Sequence, residues 1–207
     1  WTVFWDPKIS VLKLMSPALL SMFKTAARMG LVEKTSGYFS NFDNDYVSMY
    51  VNETFGDVVV LEGKLPRTPA TGADAADGDK YDLRYWSLCT NEGLATTRYT
   101  DCVYDSNVAL DEARNYTVVI SKPANRPQNA TRECGVTWLD FGVQGDGVGN
   151  ETISILIMRN MLPNPEFAHA IQRISRLGDE KLTMGKYLPT PSYTNKATFE
   201  KHGCKRE

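Results

Sequence analysis

Histidine is scarce in this chain, with two among 207 residues, and the four cysteines include no closely spaced pair. A structural zinc site needs Cys or His ligands in such pairs, so no metal site is expected. The same scarcity leaves a Ser-His-Asp triad with only His169 or His202 as its base. Nothing in the sequence connects either to Ser87, which lacks the flanking glycines of a hydrolase elbow. No cofactor motif is present. The glycine-rich stretch Gly142 to Gly149 joins two predicted strands rather than opening a helix, so it fails the context test for phosphate binding and reads as a flexible hairpin loop.

Long apolar runs are also missing. The best candidate, Ile9 to Phe23, is interrupted by Lys13, Ser16 and Pro17. It is too short and too polar to cross a hydrocarbon core of about 30 Å, so no transmembrane segment is expected. Charge of one sign is lacking too, at a net −2. That balance gives no reason to expect nucleic acid or an anionic membrane as a partner. Lys201, Lys205 and Arg206 read as a solvated basic tail. The chain opens on Trp1 without a leader-like run, as expected of a mature protein whose signal peptide is gone, or of a trimmed chain.

What is present is a globular composition, 42% apolar, in a chain long enough to bury roughly 70% of its unfolded surface. Ser16-Pro17 is a good helix start, and Leu19, Leu20, Phe23, Ala26 and Ala27 then recur at helical spacing up to Gly30. From Tyr46 the pattern turns to strands: 46–51, 58–65, 81–90, 96–104, 116–121, 134–141 and 152–159 are rich in β-formers. Asp74, Asp77, Asp79 and Asp82 lie close together but lack the order and closing Glu of a calcium loop, and read as a solvated loop. Asn164, Pro165 and Glu166 predict a second helix carrying Phe167, Ala168, Ile171 and Ile174, followed by an extended tail from Tyr187. The expected organisation is a single domain: an arm and helix over 1–35, a β-sandwich over 46–160, and a helix with extended tail over 161–207.

The cysteines are informative. Four with no CxxC favour two disulfides. A hairpin centred near Ala95 and Thr96 sets Cys89 opposite Cys102, where cross-strand Cβ atoms are near enough to bridge. Cys134 and Cys204 pair by elimination, which clips the tail to the body. Four Asn-x-Ser/Thr sequons, at Asn52, Asn115, Asn129 and Asn150, are glycosylation candidates and point to the same compartment. The expected location is secreted or otherwise extracytoplasmic.

For chemistry, the carboxylate pairs Asp43/Asp45, Asp101/Asp105 and Asp140/Asp146 could meet in a cleft as acid and base. Arg84 and Arg159 interrupt apolar strands. If buried they need acidic partners, and Asp140 or Asp101 would serve in a polar cluster. Exposed Trp or Tyr could stack on sugar rings, which makes carbohydrate a candidate partner.

The order Arg84-Tyr85-Trp86-Ser87, Tyr116 to Ile120, Trp138-Leu139-Asp140-Phe141-Gly142 and Ile153 to Arg159 resembles a β-sandwich domain of unknown function. That domain is found C-terminally in certain secreted bacterial two-domain proteins. This chain has Asp140 where that family has Pro. The resemblance, over Tyr46 to Arg159, implies a jelly-roll-like sandwich and no particular activity. The expected fold is thus an antiparallel β-sandwich, mainly β, with an N-terminal helix, a C-terminal helix and an extended tail. The expected function is a non-catalytic structural or binding protein, self-assembling as a homo-oligomer through its N-terminal arm or C-terminal tail. The alternative is a secreted hydrolase acting on carbohydrate or ester through paired carboxylates.

Overall fold

A computed structural model of the chain describes residues 1–3, 25–26, 29, 41, 43–69, 81–93, 95–96 and 98–204. The described residues are mainly β. Nine strands run β1 (Thr2–Val3), β2 (Asn44–Asn52), β3 (Val58–Lys64), β4 (Leu83–Asn91), β5 (Tyr99–Tyr104), β6 (Asn115–Ser121), β7 (Val136–Asp140), β8 (Ile153–Pro163) and β9 (Thr190–Thr194). Two short helices, α1 (Glu180–Met184) and α2 (Lys196–Lys201), flank β9. The strands form a five-stranded sheet of order β1-β2-β8-β4-β5 and a four-stranded sheet of order β7-β6-β3-β9. The helix expected from Ser16 to Gly30 lies outside the described residues except for Thr25, Ala26 and Met29, and Asp74, Asp77 and Asp79 lie outside them too.

The chain divides into two compact units. The first comprises Trp1–Ser48, Arg67–Trp86 and Met158–Leu188; the second comprises Met49–Pro66, Ser87–Ile157 and Pro189–Glu207.

In the first unit, Val3, Val47, Leu83, Trp86, Met158, Ile171 and Met184 are buried. Its buried acids are satisfied. Glu180 accepts from the N–H of Val3 at 3.1 Å and from that of Gly178 at 2.8 Å. Asp82 takes the backbone and guanidinium N–H groups of Arg67, each at 2.8 Å. The helix expected after Asn164 does not form. Asn164 Oδ1 accepts from the N–H of Glu166, two residues on, at 2.9 Å. The same bond would cap a helix, but here it accompanies a single turn, in which the Phe167 N–H donates to the Asn164 carbonyl at 2.9 Å. Phe167, Ala170, Ile171 and Ile174 are still buried, but from turns and a 3₁₀ segment at Ile171–Arg173. The first regular α-helix beyond this point is α1.

In the second unit, β3 reads Val-Val-Val-Leu and all four residues are buried. A continuous apolar run is what a strand covered on both faces requires. Antiparallel pairing to β6 sets Val60 opposite Val119 and Leu61 opposite Val118. Strand β7 then joins β6 in parallel, with Val119 beside Trp138. A parallel pair needs a crossover, supplied by residues 122–135 and their two 3₁₀ turns. Val58, Val60, Val119, Ala130 and Val136 form a buried cluster against which Trp138 and Phe199 pack. Phe199 belongs to α2, whose N-terminus is capped by Asn195 Oδ1 accepting from the N–H of Thr198 at 2.9 Å. The tail is therefore not merely extended: it adds strand β9 to β3 and then a helix.

Cys89 pairs with Cys102, and Cys134 with Cys204. The first sits within the β4–β5 hairpin, where the two residues are direct cross-strand partners. Strands β7 and β8 lie in different sheets, so the glycine-rich segment between them is a connection between sheets and not a hairpin loop.

Candidate functional site

The tip of the β4–β5 hairpin and the segment after β7 enclose a cleft of about 270 Å³ in the second unit, lined by Glu92, Arg98, Tyr99, Asp140 and Gln144 among others. Its centre is an ion pair. Glu92, only 5% exposed, accepts from Arg98 Nε at 3.0 Å and also from the terminal guanidinium nitrogen. The same Arg98 nitrogen donates to Gln144 Oε1 at 2.7 Å. A carboxylate this buried requires such a partner. The Thr96 hydroxyl and the Arg98 guanidinium hold the Glu92 carboxyl below its ordinary value of 4.5.

The backbone of the following segment is shaped to that pair. Gly147 has φ +75°, and a Cβ there would collide with the Glu92 carboxylate. Asp146 organises the same loop: Oδ1 accepts from the N–H of Val148 at 2.9 Å and of Asn150 at 3.0 Å, and Oδ2 from the Asn150 amide at 2.6 Å. Those bonds, the Asn150 amide foremost, hold the Asp146 carboxyl below 3.8. At the rim, Tyr99 and Val143 are exposed by 69% and 65%.

Asp140 lies in the cleft, where Oδ1 accepts from the N–H of Gly142 at 2.9 Å. Its own N–H donates to Asp101 Oδ2 at 3.1 Å, while Asp101 Oδ1 takes the N–H of Cys102 at 2.8 Å. Asp101 thus meets the backbone of Asp140. Asp105 Oδ1 takes the N–H of Ser106, and Asp45 Oδ1 that of Tyr46, each at 2.9 Å. Among the described residues, no group of three His, Cys, Asp or Glu side chains is arranged to hold a metal ion.

Of the predicted polar cluster, Arg84 (exposed on β4) and Arg159 (on β8) belong to the first unit and Asp140 to the second. The Arg159 guanidinium stacks over the Tyr46 ring, 4.9 Å from its centroid. His169 donates from Nδ1 to the Thr183 carbonyl at 2.7 Å and sits among Phe167 and Tyr187. Ser87 is buried in β4. In the sequence no motif marks Glu92 and Arg98, because Asn91-Glu92-Gly93 reads as a turn. The available signal was a Glu and an Arg facing each other across that turn, near a glycine-rich segment.

The four sequon asparagines differ. Asn52 Oδ1 accepts from the N–H and the hydroxyl of Thr54 at 2.9 and 2.8 Å. The Nδ2 of Asn115 donates to Asp111, that of Asn129 to the carbonyls of Phe199 and Gly203, and that of Asn150 to Asp146.

No family model and no curated protein matches the chain. Among solved structures, an uncharacterized protein from Burkholderia cenocepacia is similar over 60% of this chain and 28% of its own, at 14% identity and TM-score 0.38. A protein from Vibrio parahaemolyticus is similar over 73% of this chain and 30% of its own, at 13% identity and TM-score 0.41. The chain thus spans under a third of the length of either. No helix among the described residues is long and apolar enough to cross a membrane.

Proposed function

We propose that this is an extracytoplasmic, non-catalytic binding protein, its two sheets forming a jelly-roll-like sandwich. The cleft at the β4–β5 hairpin takes a polar, carbohydrate-like ligand. One observation carries the choice over a hydrolase: the Glu92 carboxylate is committed to Arg98, which also holds Gln144, and the Thr96 and Arg98 contacts lower its pKa. A general acid needs its pKa raised toward neutrality, and a lowered one suits a fixed binding partner. The Asp101 and Asp140 carboxylates accept backbone N–H groups nearby, which supports a structural use for them. The exposed Tyr99 ring offers a face for a sugar, and Arg98 and Gln144 offer polar groups beside it. Two disulfides fit an oxidising compartment. Self-association through the N-terminal arm or the tail remains part of this reading.

The test is to screen oligosaccharides for binding and then to examine each bound one by mass spectrometry. Binding without cleavage, lost in Tyr99→Ala, is the expected result. Turnover that disappears in Glu92→Gln would establish the hydrolase instead.

A further inference from the structure

Asn52 ends β2 and caps the 3₁₀ turn Glu53–Phe55, using Oδ1 alone. Among the described residues its Nδ2 makes no hydrogen bond, unlike that of Asn115, Asn129 or Asn150. A substituent on Nδ2 leaves the capping oxygen untouched. Beside it stands an exposed aromatic pair. Phe55 is 73% exposed, and its ring meets that of Tyr193 edge-on at 5.6 Å. The Tyr193 hydroxyl accepts from the N–H of Asn52 at 3.1 Å, which sets the pair against the sequon. Lys122 Nζ, 2.6 Å from Glu53 Oε1, fixes the middle residue of the sequon. Exposed aromatics grouped in this way mark a surface that something covers.

We infer that Asn52 is the N-glycosylation acceptor of this protein, and that the first sugar packs on Phe55 and Tyr193. This rests on the extracytoplasmic reading. In the transfer step Nδ2 forms a bond to C1 of an N-acetylhexosamine carried on a lipid pyrophosphate. One amide proton is lost and the lipid pyrophosphate leaves. The remaining amide hydrogen and Oδ1 stay available. At Asn129 the outcome is opposite, because both amide hydrogens are committed to carbonyls at the end of α2 and a sugar would displace that helix.

The chain is secreted from a eukaryotic line and mapped by glycopeptide mass spectrometry without reduction. Occupancy at Asn52 is expected, with Asn129 unmodified in every molecule that closes Cys134–Cys204. A four-way comparison of wild type, Asn52→Gln, Phe55→Ala and the double variant then reads the packing. Loss of the glycan should lower Tm by roughly 2–4 °C with Phe55 present and by much less without it. The cap lost in Asn52→Gln cancels in that comparison. An empty Asn52 in molecules with both disulfides closed overturns the inference, as does an equal Tm change in both backgrounds. Free thiols in protein from its natural source would instead defeat the extracytoplasmic reading.

Discussion

The two disulfides close loops of very different length within one unit, Cys89–Cys102 across 13 positions and Cys134–Cys204 across 70. In the chain-entropy account their stabilisation grows with the logarithm of loop length, to about 3 and about 4.4 kcal/mol. The difference in what they hold is greater than that ratio suggests. Cys89 and Cys102 are already cross-strand partners in an antiparallel pair, so the bond reinforces a register that the ladder sets. Cys204 lies at the end of a segment whose other anchors are Phe199, Asn129 and the β9–β3 pairing. There the bond decides whether a helix stays docked.

Removing the long link should therefore cost most. Cys134→Ser with Cys204→Ser is expected to lower stability by about 4 kcal/mol in urea unfolding, and amide exchange in α2 should rise well before global unfolding. The comparison fails if exchange in α2 is unchanged. Next, Cys89→Ser with Cys102→Ser should cost about 3 kcal/mol, with β5 amides near their wild-type protection. Phe199→Ala, which keeps both bonds but removes a half-buried ring from the valine cluster, should cost about 2 kcal/mol. Its cost should shrink in the Cys134/Cys204 double variant, because the two anchors hold the same helix.

The smallest effect belongs to the hairpin tip and depends on pH. Glu92 has its pKa lowered on folding. Its contribution is complete above the ordinary value near 4.5 and is lost as pH falls through the lowered folded value. Urea midpoints of wild type and Glu92→Gln should differ at about pH 6 and converge as the pH is taken progressively below the ordinary value of 4.5. Parallel curves across that range would contradict the assignment.

Strands and the hairpin disulfide were legible in the sequence because both depend on local pattern. Alternation marks a strand, and a hairpin centre fixes which residues oppose each other. The four buried residues of β3 were visible as an apolar run, but chain order does not say which sheet a strand enters. For that reason the segment between β7 and β8 looks like a hairpin loop in the sequence although it joins two sheets. Asn164-Pro165 was ambiguous in a different way, since the same side chain serves a helix cap or an Asx turn. The cleft is not legible in the sequence because Glu92 and Arg98 have no pattern of their own. Their meaning comes from Gly147, whose missing side chain makes room for the carboxylate.

Strand β9 carries a consequence for how the protein is made. Val59 pairs with Tyr193, so β3 waits for a partner synthesised far later. At 5–20 residues per second the interval is roughly 7–27 s. Over that time one edge of the Val58–Leu61 run stays open to other chains. Until residue 194 has emerged, that edge is a template for pairing with another chain. Truncation before β9 should raise aggregation relative to the full chain, read by light scattering.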